Sequence, residues 1–192
     1  LREETDTLFK LLALFSFLIV LLLLKRLVNI WPSLMACLIR GKESLNLEAS
    51  VKLSRDRDAL ALAMIIPFCL VAFRYRLYDP GFLSGMSDNQ VLGLYFGVFF
   101  AYLLLRLLMT WLFRPQKMPK KTYVAAEKAS YSFFVIYVLA LLAMGAVFGV
   151  LDVQDDSART AMLWLSAFLY FIFLIRKTQI FSTSCSVFAG FL

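Results

Sequence analysis

Residues 91–113 read VLGLYFGVFFAYLLLRLLMTWLF, 23 positions with one charge, Arg106. A bilayer's hydrocarbon core is about 30 Å thick and is crossed by roughly 20 apolar helical residues. This stretch is therefore long enough to span, and nothing in it breaks a helix. Residues 129–151, ASYSFFVIYVLALLAMGAVFGVL, have the same length and no charge at all. Two such runs, 15 residues apart, decide the fold class: an all-α integral membrane protein.

Working outward, four weaker runs fit the same pattern. Residues 8–24 span if Lys10 snorkels to the interface. Residues 59–73 carry Pro67 near their middle, which predicts a kink of the kind membrane helices tolerate. Residues 160–175 are short, and 178–192 open a sixth run. The expectation is a single membrane-embedded domain over residues 1–192, a bundle of about six transmembrane helices plus an interfacial amphipathic segment. Leu1 in place of Met, and an apolar run still open at Leu192, read as a piece of a longer protein. The bulk composition agrees: 61% hydrophobic, 17% charged and mean hydropathy +0.79. Ordinary globular chains are about 45–50% apolar and about 25% charged.

Charge alternates along the connecting segments. Residues 25–58 form a cytoplasmic or interfacial loop with seven basic residues, and residues 114–128 carry five more. Arg176 and Lys177 separate the last two runs. These alternate segments fall on one side and hold fourteen Lys and Arg against four on the other. The positive-inside rule then puts them in the cytoplasm, with both termini outside. Their charge suits anionic lipid headgroups and needs no nucleic acid. Residues 27–39, with Asn29, Trp31 and Pro32, read as an interfacial or re-entrant helix. Residues 43–58 read as an amphipathic helix on the membrane surface, with Arg55-Asp56-Arg57-Asp58 at the headgroups. Residues 176–179 read as a tight hairpin, one long helix being the alternative.

The chain has no histidine, which removes histidine-ligated haem, most zinc sites and histidine-based triads. Cys37, Cys69 and Cys185 stand far apart, and there is neither a phosphate loop nor a dinucleotide fingerprint. No catalytic, cofactor or metal site is expected. Arg106 is the embedded charge, and placing it near the bilayer centre costs on the order of 2.5–3.5 kcal/mol. It either contacts an anion inside the bundle or snorkels, with a cation–π contact to Tyr102. Small residues recur at four-residue spacing: Gly93, Gly97 and Ala101; Gly145 and Gly149; Ser182, Ser186 and Gly190. Such ridges let helices approach closely, within the chain or against a second copy.

The stretch Tyr102-Leu103-Leu104-Leu105-Arg106 through Trp111-Leu112-Phe113, followed by a basic loop with Tyr123, resembles an uncharacterised family of Bacteroidota integral membrane proteins. The ending Ile175-Arg176-Lys177-Thr178-Gln179-Ile180-Phe181, running into residues 188–192, is similar to that family's last hairpin. The resemblance implies a bacterial inner-membrane protein of about six spans with no assigned activity, and it carries over no catalytic residue.

Three functions are compatible with these features. The first is a non-enzymatic structural or accessory component with a membrane-protein partner or a second copy. The second is a small transporter or channel using Arg106, Pro67 and the polar run 182–186. The third is an interfacial lipid-modifying enzyme using Asp79, Asp88 or Asp152.

Overall fold

The computed structural model describes residues 2–40, 43–112, 120–151 and 153–189. Eight α-helices follow one another among them: α1 (Arg2–Leu22), α2 (Leu24–Ile39), α3 (Glu43–Ala49), α4 (Val51–Ala63), α5 (Ile65–Arg74), α6 (Asp88–Leu112), α7 (Lys120–Leu151) and α8 (Asp155–Ala189). A short 3-10 turn, Gly81–Gly85, precedes α6. No strand occurs among the described residues.

Helices α6, α7 and α8 are long and apolar enough to cross a bilayer, over Asp88–Met109, Tyr123–Leu151 and Asp155–Ile180. The α1–α2 pair adds a fourth if its bent halves count as one. In the most apolar part of those three helices only 17, 22 and 11% of residues are buried within the protein. Leu104, Leu107, Trp164 and Phe171 all point away from it. Apolar surface on this scale is stable only against hydrocarbon, so the chain is a membrane protein.

Local chemistry explains the breaks. Pro67 has no N–H to give the Ala63 carbonyl, and its ring clashes with that carbonyl in a continuous helix. The chain therefore divides at Met64, and Pro67 falls in the first turn of α5, where an unpaired nitrogen is free of penalty. The kink expected over 59–73 is thus a break between two short helices. Ser50 separates α3 from α4, with extended backbone and its Oγ accepting from Leu53 N at 3.5 Å. Between α1 and α2 the axis turns by 69° at Leu23, just before Lys25 and Arg26. Beyond that bend α2 buries Ile30, Leu34 and Cys37 at helical spacing.

Helix α7 is the hub. It meets α2, α3, α4, α5 and α8, and its Val135, Ile136 and Val138 join Ile30, Leu34, Leu47, Leu60 and Met64 in one core. Ala126 and Ala129 let α8 approach, where Ile180 packs on them. Helices α4 and α5 run beside α7 in the same sense. Asp58 pairs with Lys128 at one end, and Tyr75 Oη donates to the Gly145 carbonyl 17 residues further on in each strand of the pair. At 1.5 Å per residue that is about 25 Å, most of a hydrocarbon core.

Three expectations change. The hairpin at residues 176–179 is helix: α8 is unbroken from Asp155 to Ala189, in keeping with the absence of Gly and Pro there. With α8 a single element, three or four helices among the described residues are long and apolar enough to span, where six runs were expected. Residues 43–58 form two helices and not one: α3 and α4 pack on α7 and bury Leu47 and Arg57, while Val51, Lys52 and Arg55 stay exposed.

Helix α5 ends in a Schellman motif: Arg76 N donates to the Phe73 carbonyl and Leu77 N to the Ala72 carbonyl. Arg76 takes the left-handed position at φ 43°, where glycine is usual. Replacing Arg76 with Val, whose branched Cβ tolerates this backbone least, should lower stability by about 1–2 kcal/mol. Arg76→Gly should be neutral or slightly stabilising. Thermal unfolding in mild detergent checks both.

Candidate functional site

The site has two layers. The upper layer is a closed ring of four charges. Arg57, on the buried stripe of α4 with Ser54, Leu60 and Ala61, is 1% exposed. Its Nη1 meets Glu48 Oε2 of α3 at 2.9 Å, and its Nη2 meets Asp58 Oδ1 at 2.7 Å. Lys128 of α7 closes the ring, 3.2 Å from Glu48 and 3.1 Å from Asp58. Ser54 Oγ accepts from Arg57 and donates to Glu48. The ring is neutral overall and ties α3, α4 and α7 together.

The lower layer is a cleft of about 730 Å³ between α6 on one side and α7 with α8 on the other. Its polar end holds Asp58, Arg106 and Ser130. Its walls are aromatic and aliphatic, with Tyr102, Leu103, Phe134, Tyr170 and Phe173 among them. Tyr137 and Ser166, hydrogen-bonded at 2.9 Å, are the polar pair farther in. On α7, Ser130 and Tyr137 are seven residues apart, so the cleft runs about 10 Å along the helices. At the level of that pair, Phe68, Phe99, Phe134 and Tyr137 make tilted and edge-on ring contacts with centroids 5.5–5.9 Å apart. One flank is open: Leu62, Tyr102 and Tyr170 are 73, 57 and 61% exposed.

Arg106 bridges the mouth. Its Nη2 donates to the Glu127 carbonyl at 2.8 Å and to Ser130 Oγ, and its guanidinium lies 5.1 Å from the Tyr131 ring centroid. The aromatic partner is therefore Tyr131 on α7, not Tyr102, because the side chain crosses to the neighbouring helix. Lys177 of α8 stands over Phe173, 5.7 Å from its centroid. Among the described residues neither Arg106 nor Lys177 belongs to an ion pair.

The other candidates are dispersed. Gly93 and Gly97 have nothing within 4 Å of where a Cβ would stand, and Ala101 is exposed. That ridge packs against no described part of the chain. Gly145 does sit in a close approach, with Tyr75 at 3.5 Å and Met162 at 3.6 Å, while Gly149 is open. The side chains of Ser182 and Ser186, and all of Gly190, lie outside the described residues. So do residues 113–119 of the basic loop, Asp152 and the Cys185 side chain. Asp79 and Asp88 share a hollow of about 70 Å³ with Arg76 and Tyr95. Cys37 and Cys69 are buried and free. No group of three or more acidic, His or Cys residues fit to hold a metal ion occurs among the described residues. Arg176 Nε donates to the Leu38 carbonyl at 2.8 Å, satisfying the end of α2.

Compared with protein-family models, curated proteins and solved structures, the chain has no significant match.

The ring makes a quantitative claim. Removing one partner of a buried ion pair leaves the others uncompensated, at about 3–5 kcal/mol. Arg57→Met should therefore destabilise the protein by that amount in mild detergent. Lys128→Met should cost less, because the Lys128 side chain is partly solvated. Paired thermal melts of the two variants test the ordering.

Proposed function

We propose that this is a multi-pass bacterial inner-membrane protein that works by binding, as a non-enzymatic accessory component whose cleft receives an amphiphile from the bilayer. One observation carries the reading: the aromatic cleft reaches Arg106 and opens sideways through Tyr102 and Tyr170. Its volume lies in the usual range of ligand sites, about 300–1,000 Å³. Charge distribution supports the orientation, with Arg26, Arg106, Lys128 and Lys177 toward the cytoplasm and α1 entering from outside. The α4–α5 pair then counts as a broken crossing shielded by its neighbours, which makes five passes. With α8 unbroken, this orientation has its described end on the cytoplasmic side, in place of both termini outside.

The transporter or channel reading retains Arg106 at the mouth of the same cleft. The lipid-enzyme reading has less support: Asp79 and Asp88 meet in a hollow too small for a lipid, well away from the cleft.

Purified in mild detergent, the full chain should retain lipid near one equivalent and return it chemically unchanged. Ala167→Trp, which fills the cleft, should strip that lipid without unfolding the protein. Solute flux through reconstituted vesicles that disappeared in Arg106→Met would instead establish the transport reading.

A further inference from the structure

We infer that the cleft selects a lipid with an anionic, phosphate-bearing head, held between Arg106 and Lys177 with its chain against Leu103, Phe134 and Tyr170; this rests on the binding reading above. Three observations lead there. The first is charge. Arg106 lines the mouth, the Lys177 ammonium lies 5.7 Å from the ring of Phe173, which also lines the cleft, and neither cation belongs to an ion pair among the described residues. Leaving cations unpaired in an apolar setting is unfavourable unless an anion comes to them. Asp58, the carboxylate in the cleft lining, is already engaged by Arg57 and Lys128 and leaves that demand unmet.

The second is hydrogen bonding. Every described hydrogen bond of Arg106 is made by Nη2. Nε and Nη1 remain to donate, and Lys177 adds an ammonium, a donor set suited to phosphate oxygens. The third is shape. A free anion would use the mouth alone, whereas about 10 Å of aromatic wall lies beyond it and the flank opens where lipid lies. Arg106 and Lys177 also rest on rings that belong to the cleft or adjoin it, Tyr131 and Phe173, so head and tail sites are continuous.

The test uses the full chain in a non-ionic detergent and native mass spectrometry with phosphatidylglycerol and phosphatidylcholine of identical acyl chains. Phosphatidylglycerol should bind at least about tenfold more tightly, a difference of about 1.4 kcal/mol. Millimolar inorganic phosphate should not displace it. Lys177→Gln should bring the two lipids to near equality. That side chain bridges no helices, so its loss leaves the bundle intact; Arg106→Gln should act alike but also loosen α6. Lys52→Gln, an exposed charge away from the cleft, should change nothing. Ala167→Phe should weaken both lipids.

Equal affinity for the two lipids, with Ala167→Phe still weakening both, would overturn the anionic preference and leave the cleft standing. Lipid binding indifferent to Ala167→Phe would remove the cleft reading itself. Equal losses from Lys52→Gln and Lys177→Gln would reduce the effect to general surface attraction. Displacement by inorganic phosphate would make the site one for a free anion.

Discussion

A guanidinium buried among apolar helices has to bring its counter-charges with it, and the architecture follows from how Arg57 does so. Removing an ion from water costs several kcal/mol, repaid only when the geometry is close and all donors are matched. Glu48 can reach Arg57 only because Ser50 breaks the helix and folds α3 back beside α4. Lys128 can close the ring only because α7 stands against both. The ring thus fixes the register of α4 on α7. Through that register it sets Asp58 at the cleft and Tyr75 against Gly145 some 17 residues away.

The two most apolar helices were legible at once, because residues 91–113 and 129–151 state their solvent directly. The α4 segment was not. Hydropathy weighs each residue separately, and Arg55-Asp56-Arg57-Asp58 scores as water-facing however its charges are paired. A signal existed nonetheless: Ser54, Arg57, Leu60, Ala61 and Met64 follow one helical stripe, so Arg57 occupies a core position. The run 176–179 misled for a different reason. Paired cations suggest an interface, and an interface suggests a turn, yet a helix can carry such cations if their side chains find partners. Arg176 does so on the end of α2. Gly145 does bring helices together, and so do Ala126 and Ala129, whose three-residue spacing a search at four-residue spacing passes over.

Arg106 was legible as a residue and not as a site. Its depth followed from α6 alone, but its surroundings depend on α7 and α8, whose rotation about their axes no single run of sequence specifies. Comparing the two arginines separates structure from function. Arg57 has two carboxylates and a hydroxyl, all of its charge neutralised within the protein. Arg106 has a carbonyl, a hydroxyl and a ring, polar company that leaves its charge in place. The protein therefore completes one cation internally and leaves the other to its surroundings.

The supports of α6 account for the cleft staying open. Helix α6 leans on α5 through Phe99 on Phe68 and Tyr95 on Phe73, and it meets α7 at the far end through Arg106. Between those two supports there is nothing to draw it inward except the contact energy of the cleft walls, which lipid chains supply equally well. The ring contacts among Phe68, Phe99, Phe134 and Tyr137 thus set the spacing of the walls. An open cleft is the low-energy arrangement for these residues, and a ligand that enters it meets a site already formed.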